Sequence, residues 1–322
     1  MPHVTLKSIA QNAALDPILA KWERILADKL SMLNLALEEV TPGLRAALLA
    51  KLEAKRKRRD RNDPVTDADK ASQDYLRDAI NRRFPGHGIV GEEDGEVQDA
   101  PAPDYMWVLD PLDGTTNFIN GLPIYAVSVG VLHLGEPVAG CLFIPWPRSE
   151  GGVVLHARKG GGAFTGDDSF SLAKQPAGPE WGRLSALPAH WGFRMGFRKE
   201  IRKKIGEVRT TGSIAHELAL VTQGVLQYAV HTRPHLWDVA GGASILMEAG
   251  GRVMVRRKKS RDWETMRTFF PDWRKGQTTL KDVREWTVPA MVSGPEGVAE
   301  VVAANLQSRR PLARKLKSAL GL

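Results

Sequence analysis

This chain cannot form an internal disulfide, because it carries one cysteine, Cys141. A lone thiol fits a reducing compartment, so the expected location is the cytoplasm. No run approaches the roughly eighteen apolar residues that a membrane-spanning helix requires, and no membrane partner is expected. The first residues, Met-Pro-His-Val-Thr-Leu-Lys, lack the charged-then-apolar order of a secretory signal. No His or Cys cluster has zinc-ligand spacing. Acidic residues are the scarcer charge, 37 against 45 Lys and Arg, which gives a formal charge of +8 and a pI near 9.6. That balance suggests an anionic partner and leaves a phosphorylated substrate, nucleic acid and mere solubility open. With 43% apolar and 25% charged residues, the 322-residue chain has the composition of a globular protein, long enough for one large domain or for two lobes, each with its own core.

The densest chemistry lies in residues 107–118. Trp107, Val108 and Leu109 run straight into Asp110, and Pro111 is expected to stop the strand because it has no N–H for the ladder. Asp113-Gly114 predicts a tight turn, and Thr115-Thr116 can cap a following helix. Two carboxylates, Asp110 and Asp113, would then point past a strand end beside exposed N–H groups. A hard divalent cation and a phosphate could sit there together. An ordinary turn with a helix cap explains the stretch equally well when it is taken alone.

Other stretches add to it. Thr66-Asp67-Ala68-Asp69 has the form of a capping box that opens a helix ending before Pro85-Gly86. Gly91-Glu92-Glu93 follows, and Trp237-Asp238 with Gly250-Gly251 lies far downstream. In this order and at this spacing, the motifs resemble the inositol monophosphatase family of magnesium-dependent, lithium-sensitive phosphatases. The resemblance covers roughly residues 45–250 well and the last seventy poorly. It implies an α+β, α/β fold, the layered αβαβα sandwich of the sugar phosphatases, with the site between two lobes. It also implies two or three Mg2+ ions, a small phosphorylated metabolite as partner, and a homodimer.

Position by position, the resemblance assigns Glu92, Asp110 and the carbonyl of Leu112 to a first metal. Asp110, Asp113 and Asp238 go to a second. Thr115, hydrogen-bonded to Asp69, would activate the attacking water together with Glu92. Asp113 and the N–H groups of Gly114 and Thr115 would face the phosphate, and Gly212 and Ser213 the alcohol part of the substrate. The family holds inositol hydroxyls with an acid six positions before the Trp-Asp pair, where this chain has His231. A carboxylate accepts two such bonds and a neutral imidazole one. With Arg233 nearby, the expectation is a bisphosphorylated or otherwise acidic substrate, such as a 3′-phosphoadenosine nucleotide or fructose 1,6-bisphosphate.

The rest of the chain frames these motifs. Residues 16–55 read as helical, and 1–42 as an N-terminal addition to lobes spanning 43–175 and 176–322. Residues 124–134 and 138–144 read as a hairpin around Gly135-Glu136-Pro137, followed by a strand at 153–156. Ser213 is expected to cap a helix that Gly224 ends, 225–230 to form a buried strand, and 239–249 a helix closed by Gly250-Gly251. Basic residues crowd 55–61 and 252–261, the latter followed by Trp263, Phe269, Phe270, Trp273 and Trp286. Interleaved this way they can bind single-stranded nucleic acid, so an RNA- or transcription-complex-binding regulator is the rival from another class. A basic loop packed by its aromatics is the preferred reading.

Overall fold

The computed structural model describes residues 67–146, 152–172, 177–257 and 262–308. The helices expected over 16–55, the basic run at 55–61, Thr66, residues 258–261 and the tail from 309 lie outside the described residues. Two sheets organise the rest. The first takes seven strands in chain order: β1 (Gly88–Gly91), β2 (Tyr105–Asp113), β3 (Ala126–His133), β4 (Glu136–Ile144), β5 (Val153–Arg158), β6 (Gly162–Thr165) and β7 (Asp168–Phe170). Only its β1–β2 pair is parallel. Leu134 and Gly135, both at positive φ, make the tight β3–β4 turn, so β4 already begins at Glu136.

The second sheet has six strands in the order β10-β8-β11-β14-β12-β13. They are β8 (Leu184–Ala186), β10 (Glu207–Arg209), β11 (Leu226–His231), β12 (Gly251–Arg256), β13 (Glu264–Thr265) and β14 (Ala290–Pro295). A ribbon of β9 (Met195–Phe197) and β15 (Leu306–Ser308) stands apart. Strands β8, β10 and β11 are parallel, and β14 runs antiparallel to both β11 and β12. The ends of β10, β11 and β12 therefore share one edge of the sheet.

Helices complete the layers. Helix α1 (Asp67–Arg83) covers the outer face of the first sheet, over a core that includes Ile80, Trp107, Leu109 and Val129. The short α2 (Thr115–Ile119) follows β2, and α3 (Trp191–Arg194) precedes β9. Between the sheets lie α4 (Ile214–Thr222) and α5 (Leu236–Glu248). Helix α6 (Leu280–Glu285) packs against β1, and α7 (Val298–Asn305) covers the outer face of the second sheet. The result is the layered α/β/α/β/α sandwich that the resemblance implies.

Helix α5 is buried nearly all round, as a helix between two sheets must be. Small residues let it come close. A Cβ on Gly130 of β3 would lie 2.4 Å from the Ala240 Cβ, and one on Gly140 of β4 would lie 2.3 Å from the Gly241 carbonyl. The Ser128 hydroxyl donates to the Trp237 carbonyl at 3.1 Å, which fixes the first turn of α5 on β3.

Three local expectations change. Pro111 does not end β2; the strand continues to Asp113 through a register shift between Asp110 and Asp113. At such an irregularity a missing N–H disrupts no regular ladder. Thr115 does not cap α2 with its side chain. Gly114 holds the N-cap position in the left-handed conformation at φ 89°, and the Thr115 hydroxyl bonds elsewhere. Residues 252–256 are a strand rather than part of a basic loop, because Val253, Met254 and Val255 are buried in the sheet.

Gly140→Ala tests the close approach, since its nearest neighbour is backbone that cannot swing aside. We expect a loss of about 1–3 kcal/mol or more in denaturant unfolding, from overpacking against α5. Unchanged stability would show that α5 is not seated this tightly.

Candidate active site and metal centre

The site assembles at the end of β2. One face of α1 presents Asp69, Ser72, Gln73 and Arg77, spaced three to four residues apart as a helix face requires. Ser72 Oγ donates to the Pro111 carbonyl at 3.2 Å and so holds the irregular end of β2. Gln73 accepts from the Glu93 N–H at 3.0 Å and donates to Asp94 at 2.9 Å. Asp94 also pairs with Arg77 and accepts from the Gly91 N–H at 2.8 Å. These bonds fix the Gly91–Asp94 turn that carries Glu92.

Asp110 is almost fully buried and accepts from the Leu112 N–H at 3.1 Å. Asp113 receives the Ser213 hydroxyl at 2.8 Å and the Ala215 N–H, which ties the first sheet to the start of α4. Asn117 strengthens that tie by donating to the carbonyls of Ile124 and Thr211, both at 2.7 Å. Gly212, at φ 81°, faces the same amide, and its Cβ would meet it at 3.3 Å. The Thr115 hydroxyl lies 3.1 Å from Asp69 and 2.9 Å from the Leu112 carbonyl. Asp238 sits in the first turn of α5 and accepts from the His235 N–H at 2.8 Å.

The four acids expected to meet do act on one another. Burial, then the charges of Glu92, Asp113 and Asp238, push Asp110 well above the usual carboxylate range. Burial is also the main cause for the other three. It raises Glu92 to about 7, helped by the charges of Asp113, Glu93 and Asp69 and opposed by a hydrogen bond with Asp110. Asp238 rises to about 8, with Asp113 and Glu92 contributing. Asp113 rises to about 6, where the Ala215 and Ser213 bonds oppose burial and Glu217 adds to it. Among the described residues, no three His, Cys, Asp or Glu side chains already stand as a ligand set. Without a cation, burial and mutual charge favour a proton on the Glu92–Asp110 pair. An oxygen-only donor set whose acids repel one another fits a hard divalent cation, which would displace that proton.

Not every expected residue meets the carboxylates directly. His231, at the end of β11, is 3% exposed and donates from Nε2 to Glu217 at 2.8 Å. Its Nδ1 has no partner among the described residues. Glu217 also accepts from the Thr211 N–H at 3.1 Å and from its hydroxyl at 2.8 Å. The expectation drawn from His231 alone left Glu217 out. The signal was there, since Glu217 is the one acid in the apolar Ile214–Thr222 helix. Arg284 was also missed: it donates to the carbonyls of Glu92 at 2.8 Å and Asp94 at 3.3 Å.

A layered fold around an oxygen-only donor set is the pattern of the metal-dependent phosphatases. The chain belongs to the inositol monophosphatase family, phosphoric monoester hydrolases, whose model matches residues 29–287. It is 35% identical over 198 residues to a chloroplastic phosphatase of Arabidopsis thaliana, a match that covers 60% of this chain and 53% of that one. The chain thus spans about half the length of that relative. Over 191 residues it is 34% identical to a fructose-1,6-bisphosphatase/inositol-1-monophosphatase of Aquifex aeolicus, covering 59% and 71% of the two chains. Its fold superposes on an IMPase/NADP phosphatase complexed with NADP and Ca2+, with a TM-score of 0.65 at 17% identity, over 92% of this chain and 99% of that one. No described helix is long and apolar enough to cross a membrane.

The raised carboxyls make metal-free stability depend on pH. A folded-state pKa above the unfolded value stabilises at low pH, and that contribution is lost as pH rises through the folded pKa. Metal-free protein should therefore melt lower at pH 8 than at pH 5, the window set by Glu92, Asp113 and Asp238. Mg2+ should raise the melting temperature more at pH 8 than at pH 5. Equal shifts at both would show that these acids do not receive the cation.

Proposed function

We propose that the protein hydrolyses a phosphate monoester of a small metabolite with Mg2+, two or three ions, held by Glu92, Asp110, Asp113, Asp238 and the Leu112 carbonyl. The observation that supports this reading is the charge repulsion of Glu92, Asp113 and Asp238 on the buried Asp110 at the end of β2, in a member of a phosphatase family. When bound, the cations supply Lewis-acid neutralisation of the phosphoryl charge and lower the pKa of water. The protein's share is positioning.

The single hydroxyl proton of Thr115 has two inward acceptors, Asp69 and the Leu112 carbonyl. Its lone pairs are thereby left to accept from a water, while the Glu92 carboxylate can accept that water's other proton. The N–H groups of Gly114 and Thr115 start α2 and can receive phosphate oxygens. Gly212 and Ser213 would face the alcohol part, and the buried Glu217–His231 pair would support, through Thr211, the loop that carries them.

A second anionic group on the substrate is proposed from Arg233. The loop from β11 to α5 carries Arg233, exposed and at φ 58°. That residue borders a cavity of about 840 Å³ shared with Arg256, Arg257 and Trp286. None of the four carboxylates borders that cavity, so the reading rests on the place of Arg233 two residues after His231. The nucleic-acid reading gains less support. Phe269 and Phe270 are buried, Arg257 pairs with Glu264 at 2.5 Å, and Arg256 lies 5.1 Å over the Trp263 ring.

A panel of phosphorylated metabolites assayed with Mg2+ tests both levels. Asp113→Asn should fold and give no measurable turnover, as should the native protein in excess chelator; turnover in either would sink the metal mechanism. Arg233→Ala should lower kcat/KM for bisphosphorylated substrates by roughly tenfold or more and leave inositol 1-phosphate nearly unchanged. A native preference for inositol 1-phosphate would remove the second anionic group from the reading.

A further inference from the structure

Arg284 lies outside every motif, on the short helix α6 (Leu280–Glu285), yet it touches two of the stretches that carry site acids. Its Nη2 donates to the backbone carbonyls of Glu92 and Asp94 at the end of β1. Its guanidinium carbon stands 4.3 Å over the ring of Trp237, the residue before Asp238. Trp237 is itself fixed: it is 4% exposed, the His235 ring stacks on it at 4.6 Å and 2°, and its carbonyl accepts from Ser128. The other end is fixed by Gln73 and Arg77 acting through Asp94.

We propose that Arg284 is a positioning residue that sets the distance between the Glu92 and Asp238 carboxylates, and so the affinity for the catalytic cation. The inference rests on the metal reading above but adds a residue from a third part of the chain. Four properties of the guanidinium suit the task. It is planar, so it stacks on the indole; it is always charged, so the contact persists across pH; it offers several donors in a fixed fork; and it accepts nothing. Lysine could supply the charge but neither the plane nor the fork.

The alternative, a side chain kept only for packing, fits less well. The Arg284 Nε is buried with no partner among the described residues. A cavity of about 670 Å³ opens beside it, bordered by Glu96, Asp99 and Glu285, where a free guanidinium would find water and carboxylates. The side chain holds instead to two carbonyls and a ring. Helix α6 supports this: Thr279 caps it by accepting from the Asp282 N–H, and Asp282 returns the bond.

Terbium titration of the full chain tests the proposal, with Tb3+ as the hard-cation probe and its emission under indole excitation as the readout. The variants are Arg284→Gln, Arg284→Lys, Asp238→Asn and Lys281→Gln. Lys281 is the control: it lies on the same helix, borders the same cavity and, among the described residues, forms an ion pair with Glu285 at 3.9 Å. Arg284→Gln should weaken Tb3+ binding on the order of tenfold or more, the usual effect of losing a group behind the ligands. Arg284→Lys should fall between Arg284→Gln and native, and Lys281→Gln should match native.

Native affinity in Arg284→Gln, alongside lost binding in Asp238→Asn, would overturn the positioning role and leave the metal reading standing. An equal loss in Lys281→Gln would also overturn it, by showing that charge alone matters. No Tb3+ binding by the native protein would overturn the metal reading, and the positioning role with it. If Arg284→Gln does not fold, Arg284→Lys decides: weaker binding supports the role and native affinity refutes it.

Discussion

The fold depends on how closely α5 can approach the first sheet. Two glycines, Gly130 and Gly140, leave the face of β3 and β4 bare where Ala240 and Gly241 press against it. Interiors are packed near crystal density, so even one methyl group there forces backbone to move. Ser128 fixes the rotation of the helix through the Trp237 carbonyl. Asp238 follows directly in the chain, so its position is a consequence of sheet packing several residues away.

The second sheet brings its own contributions to the same place. Strands β10 and β11 end at the edge where α4 begins, and the α4 start gives Asp113 a hydroxyl and an N–H. These bonds partly offset the burial of Asp113, whereas Asp110 and Asp238 are raised further by their neighbours' charges. Buried acids with no compensating cation protonate rather than remain charged. Behind them, Glu217 pairs with His231, and Thr211 links that pair to the loop holding Gly212.

Much of this could be read from the chain. The hairpin of β3 and β4, the Ser213 cap of α4 and the buried β11 follow from local patterns, because turn chemistry and apolar periodicity act over a few residues. The strand through Pro111 and the burial of 252–256 were misread for the opposite reason. A proline at an irregular end of a ladder, and arginines flanking a buried Val-Met-Val, look like breaks unless the neighbouring strands are known.

By itself the sequence, through four short motifs in order, pointed to the family and to the acids that are candidates for a cation, and the layered fold followed only as what that resemblance implies. The tertiary structure alone decided that Glu217 meets His231 across 14 positions and that Arg284 reaches Glu92 across 192. Contacts at such separations leave no local pattern. They arise only when helices and strands from distant parts of the chain are packed to within hydrogen-bonding distance.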